Sequence, residues 1–398
     1  MEKSILKHRF ALLASILLVL SAMFSTYSIR DVLTMQEAQG FALDTNLVYL
    51  VFAPLFNVLD MMTALSLTQH ASWLTFLFIA GLITSFKLIT LKHGFIRWLL
   101  ILLLPIAAIA FLYTVAVLMP RPMTSLIVPD DTMLIVDFHS HTNASHDANT
   151  SFDAEDNRMW HEKSGFDAVF VTDHYTFESV VIGKGNNAEN AKYDVLLLDG
   201  IELQHMGGHV LALCATSFVR IENGYTWKTN AYGCDPLLVQ ANPGPINDSD
   251  TVFRERGIEA LEIHDGAPIA IEEVKNRQLW MDKAKSLNIA IVSGSDNHGW
   301  AYAASGWSIL HISDWEMMNA DELALAITQR IREKGFAAVQ VVERHMVLPA
   351  RSWIGHVTMP VQLIWQMLAT LSWQERLSWM VWAWILSFAW IKVTRYEA

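Results

Sequence analysis

Histidine and carboxylate residues recur in five short clusters between residues 137 and 298, each at the edge of a short apolar run. The first is Asp137-Phe138-His139-Ser140-His141, followed by Ser145-His146-Asp147. Residues i and i+2 of a strand point to one face, so His139 and His141 can grip a single ion. The second is Val171-Thr172-Asp173-His174, where adjacent side chains diverge. There His174 is placed to ligate and Asp173 to orient an imidazole, since a carboxylate on a ligating histidine fixes its tautomer. The third pairs Gly200-Ile201-Glu202 with His209. A carboxylate has two oxygens and can bridge two cations, which one imidazole cannot. The fourth is Glu262-Ile263-His264, again at i, i+2, and the fifth is Ser293-Gly294-Ser295-Asp296-Asn297-His298. Ligands of this mixed kind, without cysteine, suit zinc, manganese or iron(II) and disfavour a structural cysteine–zinc knot.

Apolar runs of strand length precede or contain these clusters: Met133–Phe138, Ala168–Thr172, Val195–Leu198, His209–Leu213, Leu237–Ala241, Ile258–Ile263 and Ile289–Ser293. Helix-compatible polar stretches separate them, the spacing of βα units around a mostly parallel sheet or barrel. In such folds functional groups collect at the carboxyl ends of the strands. Leu323–Phe336 reads as an amphipathic covering helix. No internal repeat, low-complexity tract or phosphate-cradling glycine motif is present.

The order and wording of the clusters resemble the PHP (polymerase and histidinol phosphatase) family of metallohydrolases. The matching pieces are DFHSHTNASHD at 137–147, VTDH at 171–174, GIE at 200–202, GHVLAL at 208–213 and GSDNH at 294–298. They span 133–300 and leave the rest of the chain uncovered. The resemblance implies a distorted (β/α)7 barrel with two or three divalent ions (Zn, Mn or Fe) at its strand ends. Carried over by position, His139, His141, Glu202 and Asp296 hold the first ion. Glu202 bridges to a second, which His209 also binds, while Asp147, His174 and His298 hold a third. The family commonly has a histidine before proline in the next strand. Here Asn242 precedes Pro243, a neutral and weaker oxygen donor, so the second ion is expected either to bind poorly through Asn242 or to recruit His264 instead. His146 is expected beside the site and Asp147 in it.

Such an ion cluster lowers the pKa of a bound water, neutralises phosphoryl oxygens and stabilises the leaving alkoxide, so no side-chain nucleophile is required. Asp296 is expected to ligate and to accept the water's proton, with His264 or His298 protonating the leaving group. Ser293 and Ser295 are read as turning the chain. The expected activity is hydrolysis of a phosphomonoester or nucleotide-type ester, with a small phosphorylated molecule as substrate. The alternatives are an amide or carbamate hydrolase, and a non-catalytic metal- or ligand-sensing membrane protein.

The chain's 398 residues are 53% hydrophobic and only 17% charged, against about a quarter charged in ordinary soluble domains. Charge is unevenly spread. Residues 121–350 carry 33 acidic and 17 basic residues, net −16, which argues against a broad nucleic-acid surface. The expected organisation is a membrane region at 1–120, a PHP-type domain at 121–350, and a C-terminal membrane hairpin at 351–398. Four apolar stretches precede the domain, at 10–29, 47–67, 71–91 and 98–119, and two follow it, at 352–373 and 377–391. Twenty apolar residues in a helix cross a hydrocarbon core of roughly 30 Å. A cleaved signal peptide is the rival for the first stretch, although no clear cleavage site follows it. Tryptophans from Trp353 to Trp390 suit the bilayer interface. Asp60 is expensive inside a span and marks a functional candidate.

With four N-terminal crossings, the chain is a multi-pass cell-membrane protein whose domain and termini are cytoplasmic. With three, the domain is exported. Cys214 and Cys234 form no disulfide framework, but one bridge fits an exported domain.

Overall fold

The computed structural model describes residues 8–92, 94–206, 208–222, 224–228, 232–241, 250–267, 274–344 and 352–396. The chain divides into two compact units. One comprises Met1–Ser28, Thr45–Pro122 and His345–Ala398, the other Ile29–Asp44 and Met123–Arg344. The first elements are α1 (Arg9–Met23), β1 (Ile29–Asp31), β2 (Ala42–Thr45), α2 (Leu47–Val51), α3 (Ala53–Thr63), α4 (Leu67–Leu88) and α5 (Gly94–Leu118). Then come β3 (Thr124–Ile127), β4 (Met133–Ser140), α6 (Ala154–Ser164), β5 (Ala168–Val171), α7 (Glu178–Lys184), β6 (Leu196–Asp199), β7 (Glu202–His205) and β8 (Gly208–Leu213). A hairpin follows, β9 (Ser217–Ile221) and β10 (Gly224–Lys228), before β11 (Leu237–Gln240), α8 (Asp250–Arg256), β12 (Ile258–Asp265), α9 (Val274–Leu287) and β13 (Ala290–Gly294). The chain ends with β14 (Gly306–His311), α10 (Ala320–Lys334), β15 (Gln340–Arg344), α11 (Trp353–Thr370) and α12 (Trp373–Tyr396).

The second unit is a mixed α/β fold. Its six-stranded sheet runs β1-β15-β14-β4-β5-β6 and its five-stranded sheet β13-β12-β11-β8-β7. β4, β5 and β6 are parallel, as are β11, β12 and β13. Parallel neighbours need a crossover, supplied by α6, α7, α8 and α9. With both faces covered, these strands carry continuous apolar runs: Ala168–Val171 and Leu196–Leu198 are fully buried. The expected closed (β/α)7 barrel is not formed by the ladders. Among the described residues, β-pairing joins the two sheets through the single bridges Ser140↔Asn297 and His174↔Glu202, both at strand ends. α10 is the expected covering helix. Asn319 and Glu322 close a capping box at its start, and Leu323, Ile327 and Ile331 are its buried stripe.

β1 is a strand that the boundary at residues 120 and 121 does not anticipate. It pairs antiparallel with β15, bringing Arg30 opposite Glu343. Glu343 is buried and accepts from Arg30 Nε at 2.6 Å and Arg277 Nη1 at 2.9 Å, and lies 2.9 Å from His264 Nδ1. Burial works to raise the Glu343 carboxyl, but Arg277, His264 and Arg30 hold it well below the usual range. A buried acid inside such a set leaves stranded cations when it is removed.

In the other unit, α4 and α5 have 22 and 25 residues and are apolar enough to cross a membrane. They pair along their length: Gly81 packs on Pro105, and Phe86 lies against Trp98. The expected span at 47–67 is instead two short helices broken at Phe52, with a proline in the first turn of α3. Asp60 is buried there, accepting from Tyr49 Oη and from Arg121 Nε, each at 2.7 Å. After the soluble unit, α11 spans 18 residues and α12 spans 24, longer than the 377–391 stretch that hydropathy marks.

Glu343→Ala should destabilise the full chain by about 3–5 kcal/mol, because two arginines lose their buried partner. Denaturant unfolding of the wild type and variant under one detergent condition checks this.

Candidate metal centre

The site forms where five strand ends converge. β4 delivers His139 and, one residue past its end, His141. Asp137 lies deeper in the same strand, 2.7 Å from His161 Nε2, and its Oδ1 accepts from the backbone N–H of His139 and of Ser295. β5 is followed by Thr172, Asp173 and His174, and β7 begins at Glu202. β13 ends at Gly294, where any side chain would strike the Glu262 carboxylate and His139 Cβ. Asp296 then adopts φ 45°, the left-handed region that aspartate tolerates better than most residues. Its backbone N–H donates to His139 O at 2.8 Å, which fixes the bend and returns its carboxylate towards the histidines.

Four donor atoms meet at one point. His139 Nε2 lies 3.0 Å from both His141 Nε2 and Glu202 Oε2, and 3.3 Å from Asp296 Oδ1. His141 Nε2 is 3.1 Å from Asp296 Oδ1 and 3.3 Å from Glu202 Oε2. Ligands about 2.1 Å from one tetrahedral ion are roughly 3.4 Å apart, so this spacing suits a single cation. Glu202 turns its other oxygen to His209, Oε1 to Nδ1 at 2.9 Å, the straddling posture that bridging requires. Beside it, Asp147 offers one oxygen to His174 Nε2 and the other to His298 Nε2, each at 3.4 Å. His141, His174 and His298 also present ring nitrogens within 4.8 Å of one another. The donor set thus fits more than one divalent ion.

The ligating nitrogens are oriented from behind. His139 Nδ1 faces Glu262 at 3.0 Å. His141 Nδ1 is 3.0 Å from Ser145 Oγ, which donates to Asp173 Oδ1. Asp173 also accepts from the backbone N–H and the hydroxyl of Thr142, so this expected orienter acts through Ser145 on His141.

The charges of the site act on one another. Burial favours neutral imidazoles, yet Glu262, Asp296 and Glu202 raise His139 well above its usual range. Asp296 and Glu202 likewise overcome burial at His141, pushed up to about 9. Burial works against the charge on Glu202 and Asp296 too, but the two histidines hold both carboxyls well below their ordinary values. His174 and His298 are shifted down, mainly by burial, and stay neutral and ready to ligate. The carboxylates around His139 and His141 thus favour positive charge at this point.

His139, His141, Asp147, His174, Glu202, His209, Asp296 and His298 are thus brought together. Asn242 lies outside the described residues. His146 sits at the exposed rim, its ring 5.2 Å from that of His174. His264 is the clear departure. Its ring nitrogens face Glu343 and Ser305, 2.9 and 3.0 Å away, inside the network that holds β1. The cause is a bulge. Glu262 pairs with Val292 and His264 with Ser293, so Ile263 is an extra residue and the i, i+2 pair no longer shares a face. Glu262 takes the site-facing place instead. Two other groups escape a pattern search. Asp265 is a buried acid near His139 and Glu262, held largely protonated by burial and by Asp296. Tyr302 is raised by burial and then by the Asp296 charge, and keeps its proton. Neither has a periodic signal, since only the folded chain brings it near Asp296.

No family model matches the chain, and no curated protein matches it. Among solved structures, a two-domain protein from Bacteroides vulgatus described as containing a PHP-like metal-dependent phosphoesterase is similar at 15% identity and TM-score 0.36. That likeness covers 52% of this chain and 68% of the other. A lesion-specific endonuclease from Pyrococcus furiosus is similar at 14% identity and TM-score 0.34, covering 52% and 57%. An amidohydrolase from Chromobacterium violaceum gives 12% identity and TM-score 0.30, covering 41% and 87%. With likenesses this partial, the functional reading rests on the side chains themselves.

Ligation requires the lone pair that a proton occupies on His141 below about pH 9. Binding of Zn2+ or Mn2+ at the His139–His141 group at pH 7 should therefore release at least one proton, and affinity there should climb with pH until about 9. Calorimetric titration in two buffers of different ionisation enthalpy measures the released protons.

Proposed function

We propose that this chain is a membrane-anchored, metal-dependent hydrolase of the PHP type, acting on a small phosphomonoester or nucleotide-type phosphoester. One observation carries the reading: the nitrogens of His139 and His141 and the carboxylates of Glu202 and Asp296 converge at 3.0–3.3 Å with no apolar or cysteine ligand among them. The first ion is assigned to those four residues, a second to Glu202 and His209 with Asn242, and a third to Asp147, His174 and His298. Zinc, manganese and iron(II) all suit this donor set. When bound, such ions supply an acidified water and neutralise phosphoryl oxygens.

The chain's own groups do the rest. Glu262 and the Ser145–Asp173 pair fix the tautomers of His139 and His141, so that their Nε2 lone pairs point inwards. Asp296 stays ionised and is the acceptor for the water's proton. His298 is shifted towards the neutral form, which suits a ligand and makes it a poor acid. Tyr302 is raised by burial and then by the Asp296 charge, and retains its proton. With both ring nitrogens engaged elsewhere, His264 is given no proton-transfer role. The apolar helices α4 and α5, long enough to cross a membrane, support a membrane anchor.

The test is hydrolysis of a phosphomonoester, a phosphodiester and an amide panel by the full chain in detergent, metal-loaded and chelated. Phosphoester turnover abolished by chelation is expected. Turnover of the amides alone would replace the reading with the amide-hydrolase alternative. Asp296→Ala and Glu202→Ala should each lose roughly 10²-fold or more in kcat/KM, and His146→Ala far less, because only the first two belong to the convergent set. Chelation should also lower Tm, since a ligand of the folded state alone stabilises it. Equal, mild effects at all three positions would contradict the assignment.

A further inference from the structure

The two units exchange the chain at four points: Ser28/Ile29, Asp44/Thr45, Pro122/Met123 and Arg344/His345. A folded, strongly acidic unit occupies one side of a bilayer, so all four points share that side. This fixes which helices cross. α2–α3 starts just after the second point, and Ala64 to Ser66 join it to α4. α4 and α5 are antiparallel, with His70 Nδ1 3.0 Å from Tyr113 Oη at one end and Arg97 over Phe86 at the other. α5 runs towards the third point, so α4 begins on the side of the soluble unit. The α2–α3 segment therefore leaves that side and returns to it without crossing. Arg121, directly before the third point, donates to Asp60 of α3 and to Ala116 O, holding that return. α11 behaves alike. It starts after the fourth point, and its penultimate residue Ala369 accepts from the backbone N–H of Thr26, two residues before the first point.

α1 and α12 form a second antiparallel pair. Ser21 accepts from Arg376 at one end, and His8 Nδ1 lies 2.9 Å from Ser387 Oγ at the other. Crossing is assigned to the two antiparallel pairs, α4 with α5 and α1 with α12. The basic residues then sort themselves. Lys3, Lys7 and Arg9 precede or open α1, Lys87, Lys92 and Arg97 flank the α4–α5 turn, and Lys392 and Arg395 close α12. In the sequence these eight flank the ends of those helices that lie away from the four chain exchanges, the pattern of cytoplasmic loops. Three bases flank the chain exchanges instead: Arg121, paired with Asp60, Arg376, which donates to Ser21, Leu368 O and Ala369 O, and Arg351, which precedes α11 in the sequence. An independent observation agrees. Cys214 and Cys234 are both buried and joined by a disulfide, a bond that persists in oxidising compartments.

We propose that the metal-ligand unit lies outside the cytoplasm, on a chain with four crossing helices, and that α2–α3 and α11 lie along the outer bilayer interface. This reverses the cytoplasmic placement that counting four N-terminal crossings gives, because the Asp60 segment does not cross. It holds whether or not the unit hydrolyses a phosphoester. If it does, the substrate is an exported or outer-leaflet phosphoester.

Single cysteines added to the full chain test it, read with a maleimide that does not cross membranes and without reference to activity. Glu189→Cys, on the exposed surface of the soluble unit, should label in intact cells. Thr90→Cys, in the α4–α5 turn, should label only after permeabilisation. Tyr193→Cys and Lys92→Cys, both at exposed positions, repeat the two arms if either first variant fails to accumulate. The wild type should stay unlabelled, because both native thiols are bonded and buried. After acid quenching and unfolding without reductant, Cys214 and Cys234 should also resist alkylation. Protection of Glu189→Cys until permeabilisation, labelling of Thr90→Cys in intact cells, or full alkylation of the native pair without reductant would each overturn the placement.

Discussion

A concentration of buried negative charge governs this molecule. Glu202, Glu262 and Asp296 place their carboxylates around two imidazoles in a space almost closed to water. Each ion removed from water costs several kcal/mol unless it is paired and hydrogen-bonded. The arrangement therefore persists only because the scaffold gives the acids no other place to go. Parallel strands packed on both faces fix where each strand stops, and the left-handed bend at Asp296 fixes where that carboxylate points. The Asp137–His161 pair and the Asp173–Ser145–His141 chain lock the supporting groups. The soluble unit holds charges together that would otherwise repel or hydrate, and a divalent cation is the partner that relieves them.

Much of this was legible in the sequence, because the signals were local. Alternation along a strand put His139 and His141 on one face, and the apolar runs ending at Val171 and Gly294 announced the positions of His174 and Asp296. What escaped is non-local. The bulge at Ile263 exchanges the roles of Glu262 and His264, and nothing in the spacing of three residues separates a regular strand from a bulged one. Strand β1, three residues long, gains its place only by pairing with β15 more than 300 positions later. The convergence of Tyr302 and Asp265 on Asp296 is likewise a property of the folded chain. Local pattern also overstated closure, since a succession of βα units does not dictate that the last ladder be completed.

The other unit shows the same limit in a different medium. Hydropathy averages around a helix, and the stretch at 47–67 is as apolar on average as a span. Its polar residues, though, are gathered: Tyr49, Asn57 and Asp60 share one buried face, where Asn57 bonds to Tyr49 and Glu375 and accepts from Trp379. Such a face asks for polar partners and finds them in Arg121 and the start of α12. α1, by contrast, spreads its polar groups thinly: Ser15 accepts from Trp384 and Ser21 from Arg376, and Ala11 and Leu18 are buried with Ser21. An average cannot distinguish a sided helix from a uniform one, but the placement of three residues can.

The bridge between Cys214 and Cys234 encloses the β9–β10 hairpin, whose Tyr225 packs against Tyr175 beside His174 and whose Trp227 packs on His205. Cross-linking a loop of this length removes about 3 kcal/mol of disorder from the unfolded chain. It also changes what a protease can achieve. A cut between residues 215 and 233 severs the backbone but not the molecule: the fragments stay tied at the base of the hairpin, with all the described metal-ligand candidates in one covalent body. On the extracytoplasmic side proposed for this unit, a nick in that loop leaves the centre in one piece.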